Sequence, residues 1–224
     1  MTSVTVDLPR VRLGILEADS VQVAPTEGEL GQVLEQACRE VQRSHSVENL
    51  AEAEFTQAVR AMFRAWGVDP SKYRPSSEAL QRRVVQGKGL YRVSNVVDIG
   101  NLGSIETGWP YGLYDRSRIV PPVSFRHGAA GETYDGIGKR TWHLANRPVL
   151  ADTNGPFGSP ISDSTRTMVT DSTQEILAVI YAPESARPSS IESALTRLGE
   201  RLSRFAAAHA IRSGVCPLIE HPSE

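Results

Sequence analysis

The sequence predicts an α+β fold in one domain over residues 1–224. Three observations carry this. Stretches of helical apolar spacing alternate with short β-branched runs in no regular β-α-β order. Turn residues crowd the region from Trp109 to Tyr181, which reads as short strands. Apolar residues make up 40% of 224 positions, enough for a self-sufficient core.

The elements follow in order. Val11–Leu16 and Val21–Val23 are β-prone, split by Asp19-Ser20. Thr26-x-x-Glu29 reads as a capping box before a helix with Leu30, Leu34, Ala37, Cys38 and Val41 on one face. Leu50, Phe55, Val59, Met62, Phe63 and Trp66 define a second helix, stopped by Gly67. These make residues 1–72 an N-terminal α/β segment. Arg74-Pro75-Ser76-Ser77-Glu78 opens a helix that Gly87 closes. Val96–Thr107 is helical despite Gly100 and Gly103, each costing about 1 kcal/mol relative to alanine, so something approaches that backbone closely. Ile119–Phe125, Val149–Ala151 and Ile176–Tyr181 are the best strands, and Ser189-x-x-Glu192 caps a C-terminal helix over 189–212.

Composition excludes several classes. The net charge of −2 rules out a polycation that coats nucleic acid, so any RNA contact comes from a local basic face. Cys38 and Cys216 form no CxxC and no zinc spacing with histidine; two thiols so far apart suggest a reducing compartment, with a single long-range bridge as the alternative. No stretch is apolar enough to span a membrane and the N-terminus does not read as a signal peptide. The expectation is a cytoplasmic protein with no membrane contact, no metal and no cofactor. Monomer and homo-oligomer both stay open.

Three groups of residues could carry chemistry. Arg74, Arg82, Arg83, Lys88 and Arg92, with Arg116 and Arg118 further on, form a basic set able to neutralise phosphates, or a solvated helix face. The hydroxyl-rich run Ser162–Thr173 is either a site or ordinary turn chemistry. His45, His127, His143, His209 and His221 have no metal spacing, and GxSxG, HExxH, P-loop and GxGxxG patterns are missing. A standard serine or metal hydrolase is therefore not expected.

The block Val96-Val97-Asp98-Ile99-Gly100-Asn101-Leu102, followed by Gly108-Trp109-Pro110-Tyr111-Gly112-Leu113-Tyr114-Asp115-Arg116-Ser117-Arg118-Ile119, is distinctive. It resembles the B3/B4 domain, the editing domain in the β subunit of bacterial phenylalanyl-tRNA synthetase, where the stretch reads approximately VVDxTNxxxxxxGxPxHAFDxDxI. The likeness runs through Arg126, Gly131-Glu132, Ala151-Asp152 and Val169-x-Asp171-x-Thr173, and covers about residues 73–183. Residues Tyr73–Leu90 look like the free-standing members.

The resemblance implies a B3/B4-like editing fold, a mixed sheet flanked by helices. It also implies aminoacyl-tRNA as partner and hydrolysis of its ester. The family's asparagine falls on Asn101, but its threonine falls on Gly100 and its substrate-holding histidine on Gly112, beside Tyr111. The glutamate that reads the tyrosine hydroxyl falls on Val179, and an upstream arginine on Tyr91, next to Arg92. The glycine-rich turn corresponds loosely to Ile161–Ser164. A tyrosine hydroxyl facing valine would lose its partner, costing on the order of 1–3 kcal/mol, so tyrosine is not the expected amino acid. Asn101, the backbone at Gly100, and the hydroxyls of Ser162, Ser164 or Thr165 are the candidates to place water and stabilise the oxyanion, with Asp163 or His127 as base. Three activities stay open: a stand-alone deacylase, a non-catalytic tRNA-binding module, and an acyl transferase from aminoacyl-tRNA to a small amine.

Overall fold

The chain opens with two strands, β1 (Val4–Val6) and β2 (Val11–Asp19), that join different sheets. The computed structural model describes residues 1–138 and 140–216. Four helices follow: α1 (Gly28–Ser44), α2 (Glu54–Ala65), α3 (Ser76–Val85) and α4 (Asn95–Thr107). Then come β3 (Tyr111–Asp115), β4 (Val123–His127), the hairpin β5 (Thr133–Asp135) and β6 (Thr141–His143), β7 (Pro148–Asp152), β8 (Gly155–Gly158) and β9 (Ile176–Pro183). Helix α5 (Pro188–Ala206) and strand β10 (His209–Val215) close the described chain.

Strand β9 organises the layers. All eight of its residues are buried, because it is covered on both faces. Ile176, Ala178, Ile180 and Ala182 face a core made with α1, α4 and α5, through Leu34, Ile99, Leu102, Leu195 and Leu198. Leu177, Val179 and Tyr181 point the other way, into a core with Phe125, Leu150, Phe157, the α2 residues Met62 and Phe63, and Trp66 just after that helix. The antiparallel sheet β10-β2-β9-β3 therefore lies between a helical layer and the second sheet, β1-β4-β7-β8. In that second sheet β1 runs parallel to β4 while the other pairs are antiparallel, so the sheet is mixed. The α+β architecture with sheets flanked by helices is as the sequence predicts, and residues 1–72 are woven into both sheets.

Local differences from the sequence reading have physical causes. The first strand extends to Asp19, and Val21–Val23 is not a strand, because Ser20 turns the chain with φ of 58°. Thr26 does not cap α1: its hydroxyl donates to Asp98 Oδ2 at 2.7 Å, and the N-cap is Glu27. The helix expected from Leu50 breaks at extended Ala53, leaving a 3-10 turn before α2. Pro121-Pro122 lack ladder donors, so the strand expected from Ile119 starts only at Val123. Ser189 is not a cap either, since α5 begins at Pro188. The C-terminal helix expected over 189–212 stops at Ala206. Ala207 takes a left-handed conformation, and the chain then pairs with β2 as β10.

Candidate functional site

Ser94 caps α4 by accepting from Val97 N, and the helix crosses β3 at very short range. A Cβ on Gly100 would sit 2.2 Å from Leu113 Cδ1, and one on Gly103 would sit 2.8 Å from Tyr111 Cε1. Glycine at both places lets the helix backbone reach the sheet, so what approaches is β3. Tyr111 lies on this helical face of β3, and burial pushes its phenol up to about 12.

The asparagine that the fold uses is Asn95. Its Nδ2 donates to Gln22 O at 2.9 Å and Phe205 O at 2.8 Å, while its Oδ1 accepts from Ala24 N at 2.9 Å. Asn101, two turns along, is half-buried and makes no hydrogen bond among the described residues. Its amide is thus not engaged in holding a loop.

Gly112 and Val179 face each other across β3 and β9 on the opposite side, between the sheets. Their space is filled. The ring of Tyr114 lies over both Gly112 and Gly158, and a Cβ on either glycine would come within 2.1 or 2.3 Å of the Tyr114 hydroxyl. Val179 is fully buried in this aromatic core, with Tyr114 and Phe157 stacked edge to face at 5.0 Å.

The Tyr114 hydroxyl donates to Asp163 Oδ1 at 2.8 Å and lies 3.1 Å from the Tyr181 hydroxyl. Ser159 N also donates to Asp163 Oδ1, at 3.1 Å. Among the described residues no cation lies within ion-pair distance of Asp163, and Oδ2 receives no hydrogen bond. Burial pushes this carboxyl from 3.8 to about 7, against the pull of the two donors. The phenols of Tyr114 and Tyr181 are raised by burial and by the neighbouring Asp163 charge. Asp163 is partly exposed as a residue, so the bonded oxygen is enclosed while its side chain still borders the surface.

The loop around Asp163 sorts the candidate hydroxyls. Ser159 Oγ accepts from Ile161 N and Ser162 N, and donates to Ser162 O at 2.8 Å. Tyr134 OH donates to the same carbonyl at 2.5 Å. Ser164 Oγ accepts from Arg166 N within its own turn, and Thr165 Oγ1 donates to Asp135 O, tying the loop to the end of β5. Thr173 Oγ1 donates to Asp115 Oδ2. Ser162 is different: its hydroxyl has no bond among the described residues. Most of the hydroxyl run is structural; among the described residues Ser162, Asp163 and the exposed Asp171 are its available members.

Other candidates lie elsewhere. His127 is exposed, with Nε2 3.0 Å from Trp66 O at the end of α2. Tyr91 is exposed and its ring lies 3.9 Å from the Arg83 guanidinium. Neither bonds to the Asp163 cluster. In the basic set, Arg74 and Arg82 lie 3.5 and 3.9 Å from the buried Glu78, which Arg60 of α2, outside the set, also pairs at 2.7 Å, and this leaves local positive charge in excess. Lys88 is exposed, and Arg92 turns to Gly31 O and Glu35 on α1. Arg116 and Arg118 leave the set: Arg116 pairs with Asp19, Glu175 and Glu17, and Arg118 with Asp115. His221 lies outside the described residues. Cys38 and Cys216 are both free thiols, raised by burial.

Sequence reasoning did not single out Tyr114, Tyr181, Tyr134 or Ser159. The one available signal was Gly112-x-Tyr114, a glycine and a large aromatic on the same strand face. Among the described residues no group of three or more His, Cys, Asp and Glu side chains could hold a metal, and no helix is long and apolar enough to cross a membrane.

A family model, the B3/4 domain, matches residues 58–220. The phenylalanine–tRNA ligase beta subunit of Streptomyces avermitilis is 34% identical over 156 residues, covering 68% of this chain and 18% of the relative. That of Neisseria meningitidis serogroup A is 30% identical over 104 residues, covering 45% and 13%. The chain thus spans less than a fifth of the length of these relatives. An N-terminal fragment of the phenylalanyl-tRNA synthetase beta-subunit from Pyrococcus horikoshii aligns over 97% of this chain and 55% of its own, at 15% identity and a TM-score of 0.47. With the family match covering most of its length, the chain belongs to the B3/4 domain family.

Proposed function

We propose that this chain is a stand-alone aminoacyl-tRNA deacylase that hydrolyses the ester of a mischarged or non-protein amino acid. The observation that carries the reading is the Asp163 carboxyl, poised near 7 with one oxygen bonded and the other free. A base is most useful when its pKa lies near the working pH. Asp163 takes a proton from water as the water oxygen bonds to the ester carbon. The proton then goes to the ribose oxygen as the ester C–O bond breaks. The Ser162 hydroxyl, next to Asp163 in the loop, is the group offered to the water or the carbonyl oxygen. The free amide of Asn101 stands on α4, on the helical side of β3, and makes no hydrogen bond to the Asp163 cluster among the described residues, so its part is what the variant below tests. His127 is held at Trp66 O, away from the Asp163 cluster.

The test is a panel of aminoacyl-tRNAs, scoring released amino acid against a no-enzyme control. Release from one or two species is expected, with tyrosyl-tRNA among the poorest because Val179 and Tyr114 close the space a phenol would need. Asn101→Ala is expected to lower turnover by about 10²–10³-fold, the scale for losing one oxyanion donor, with an unchanged unfolding temperature. Equal turnover in that variant removes Asn101 from the mechanism.

A non-catalytic tRNA-binding module is the second reading, favoured by Tyr114 occupying the space between Gly112 and Gly158. It predicts salt-sensitive tRNA binding and no amino-acid release across the panel.

A further inference from the structure

Beside the Asp163 loop, cations and aromatic rings alternate along one stretch of surface. Lys72 Nζ lies 5.5 Å from the Tyr73 ring centre, and the Arg147 guanidinium lies 4.0 Å from that ring on its way to Trp142, at 5.8 Å. Arg140 lies 4.7 Å from the Trp142 ring. None of Lys72, Arg140 and Arg147 has a carboxylate within 4 Å among the described residues. Arg147 Nη2 donates to Tyr73 OH at 2.6 Å, but its Nη1 is buried with no partner. Lys72, Arg74 and Arg140 are exposed, and Tyr73 and Trp142 are half-exposed. Cation–aromatic contacts of this kind are worth about 0.5–1 kcal/mol each at a surface, so stability alone is a poor reason for three unneutralised cations in a row.

The row is tied to the candidate site from two sides. Ser76 N, just beyond Tyr73, donates to Pro160 O at 2.9 Å, in the loop that carries Asp163. Trp142 pairs across the hairpin with Tyr134, whose hydroxyl bonds Ser159 and Ser162.

The geometry points to this row, Lys72-Tyr73-Arg147-Trp142-Arg140, as the docking surface for a single-stranded RNA 3′ end, guiding it to the Asp163 loop. Unmatched guanidinium and ammonium groups take phosphates, and interleaved aromatic planes take bases without regard to sequence. An acidic peptide would supply the charge but not the planar partners. The direction toward the loop rests on the deacylase reading; the binding itself does not.

The probe is an unacylated RNA hairpin with a single-stranded 3′ overhang, followed by fluorescence anisotropy. Lys72→Ala/Arg140→Ala changes exposed side chains only and is expected to weaken binding at least about tenfold, with a salt slope shallower by about 1.4 for two lost phosphate contacts. Trp142→Leu is expected to weaken it by a similar factor through lost stacking. Unfolding temperature and binding by a charge-matched Arg39→Ala/Arg43→Ala pair on α1 should not move. Unchanged affinity and slope in the Lys72/Arg140 variant overturns the proposal, as does equal affinity for a blunt-ended duplex or displacement by polyglutamate at matched charge. Loss of binding in the variants without amino-acid release by the parent protein leaves the surface standing and removes the deacylase reading.

Discussion

Asp163→Asn is expected to lower aminoacyl ester turnover by about 10²–10⁴-fold, the range for removing a general base. The amide carbonyl can still accept from Tyr114 and Ser159 N, so the packing should survive while the proton acceptor is lost. Turnover in the parent protein should rise with pH through about 7, because the base works only when ionised. The variant should show no such rise once the no-enzyme rate is subtracted. Stability supplies an independent readout. In the folded chain the carboxyl holds its proton to about 7, whereas the ordinary value is 3.8. Between those limits the folded state binds more protons than the unfolded one, so this group makes stability fall as pH rises from about 4 to 7 and level off above. After allowing for the partial exposure of Asp163, the loss is on the order of 3 kcal/mol. Chemical denaturation at pH 4, 5.5 and 8 should show this slope in the parent protein and a flatter one in Asp163→Asn. A parallel slope in both proteins would place the titrating group elsewhere.

How much of this was legible beforehand depends on where each signal is written. The β9 run Ile-Leu-Ala-Val-Ile-Tyr-Ala is continuously apolar, and local pattern suffices to read it as a buried strand. The helical faces of α1, α2 and α5 are equally local. Their start points were not, because Thr26 bonds Asp98, 72 residues away, instead of capping. Strand β10 also escaped, since it contains no strong apolar alternation and exists because Ala207 reverses the chain onto β2. The site divides in the same way. Asn101 and Asp163 stand in stretches that composition and resemblance mark. The partners that set the chemistry of Asp163 come from β3, β9 and the Ser159 turn, and no spacing rule joins positions 114, 163 and 181.

Gly112→Ala is expected to destabilise the fold by about 1–3 kcal/mol, the range for overpacking a filled core, although alanine is the smallest possible change. The added Cβ would lie 2.1 Å from the Tyr114 hydroxyl, and that hydroxyl has nowhere to go. It is fixed by Asp163 and Tyr181 on one side, while Gly158 closes on it from across the sheets at a Cβ distance of 2.3 Å. Tyr114→Ala should itself cost about 3–5 kcal/mol, from the cavity left behind and from Asp163 losing its phenol donor. The double variant tests whether glycine is there for the ring. With the ring gone, a methyl at 112 enters empty space, so adding Gly112→Ala to Tyr114→Ala should cost little or restore a fraction of the loss. The coupling in that double-mutant cycle is expected to exceed about 1 kcal/mol. Additive costs would mean that the ring and the glycine are independent. A strong coupling means that the room left by the missing side chain at Gly112 is taken by Tyr114. The hydroxyl that takes it is the one that holds Asp163, so the same exchange that closes the space at Val179 also positions the carboxyl proposed as base.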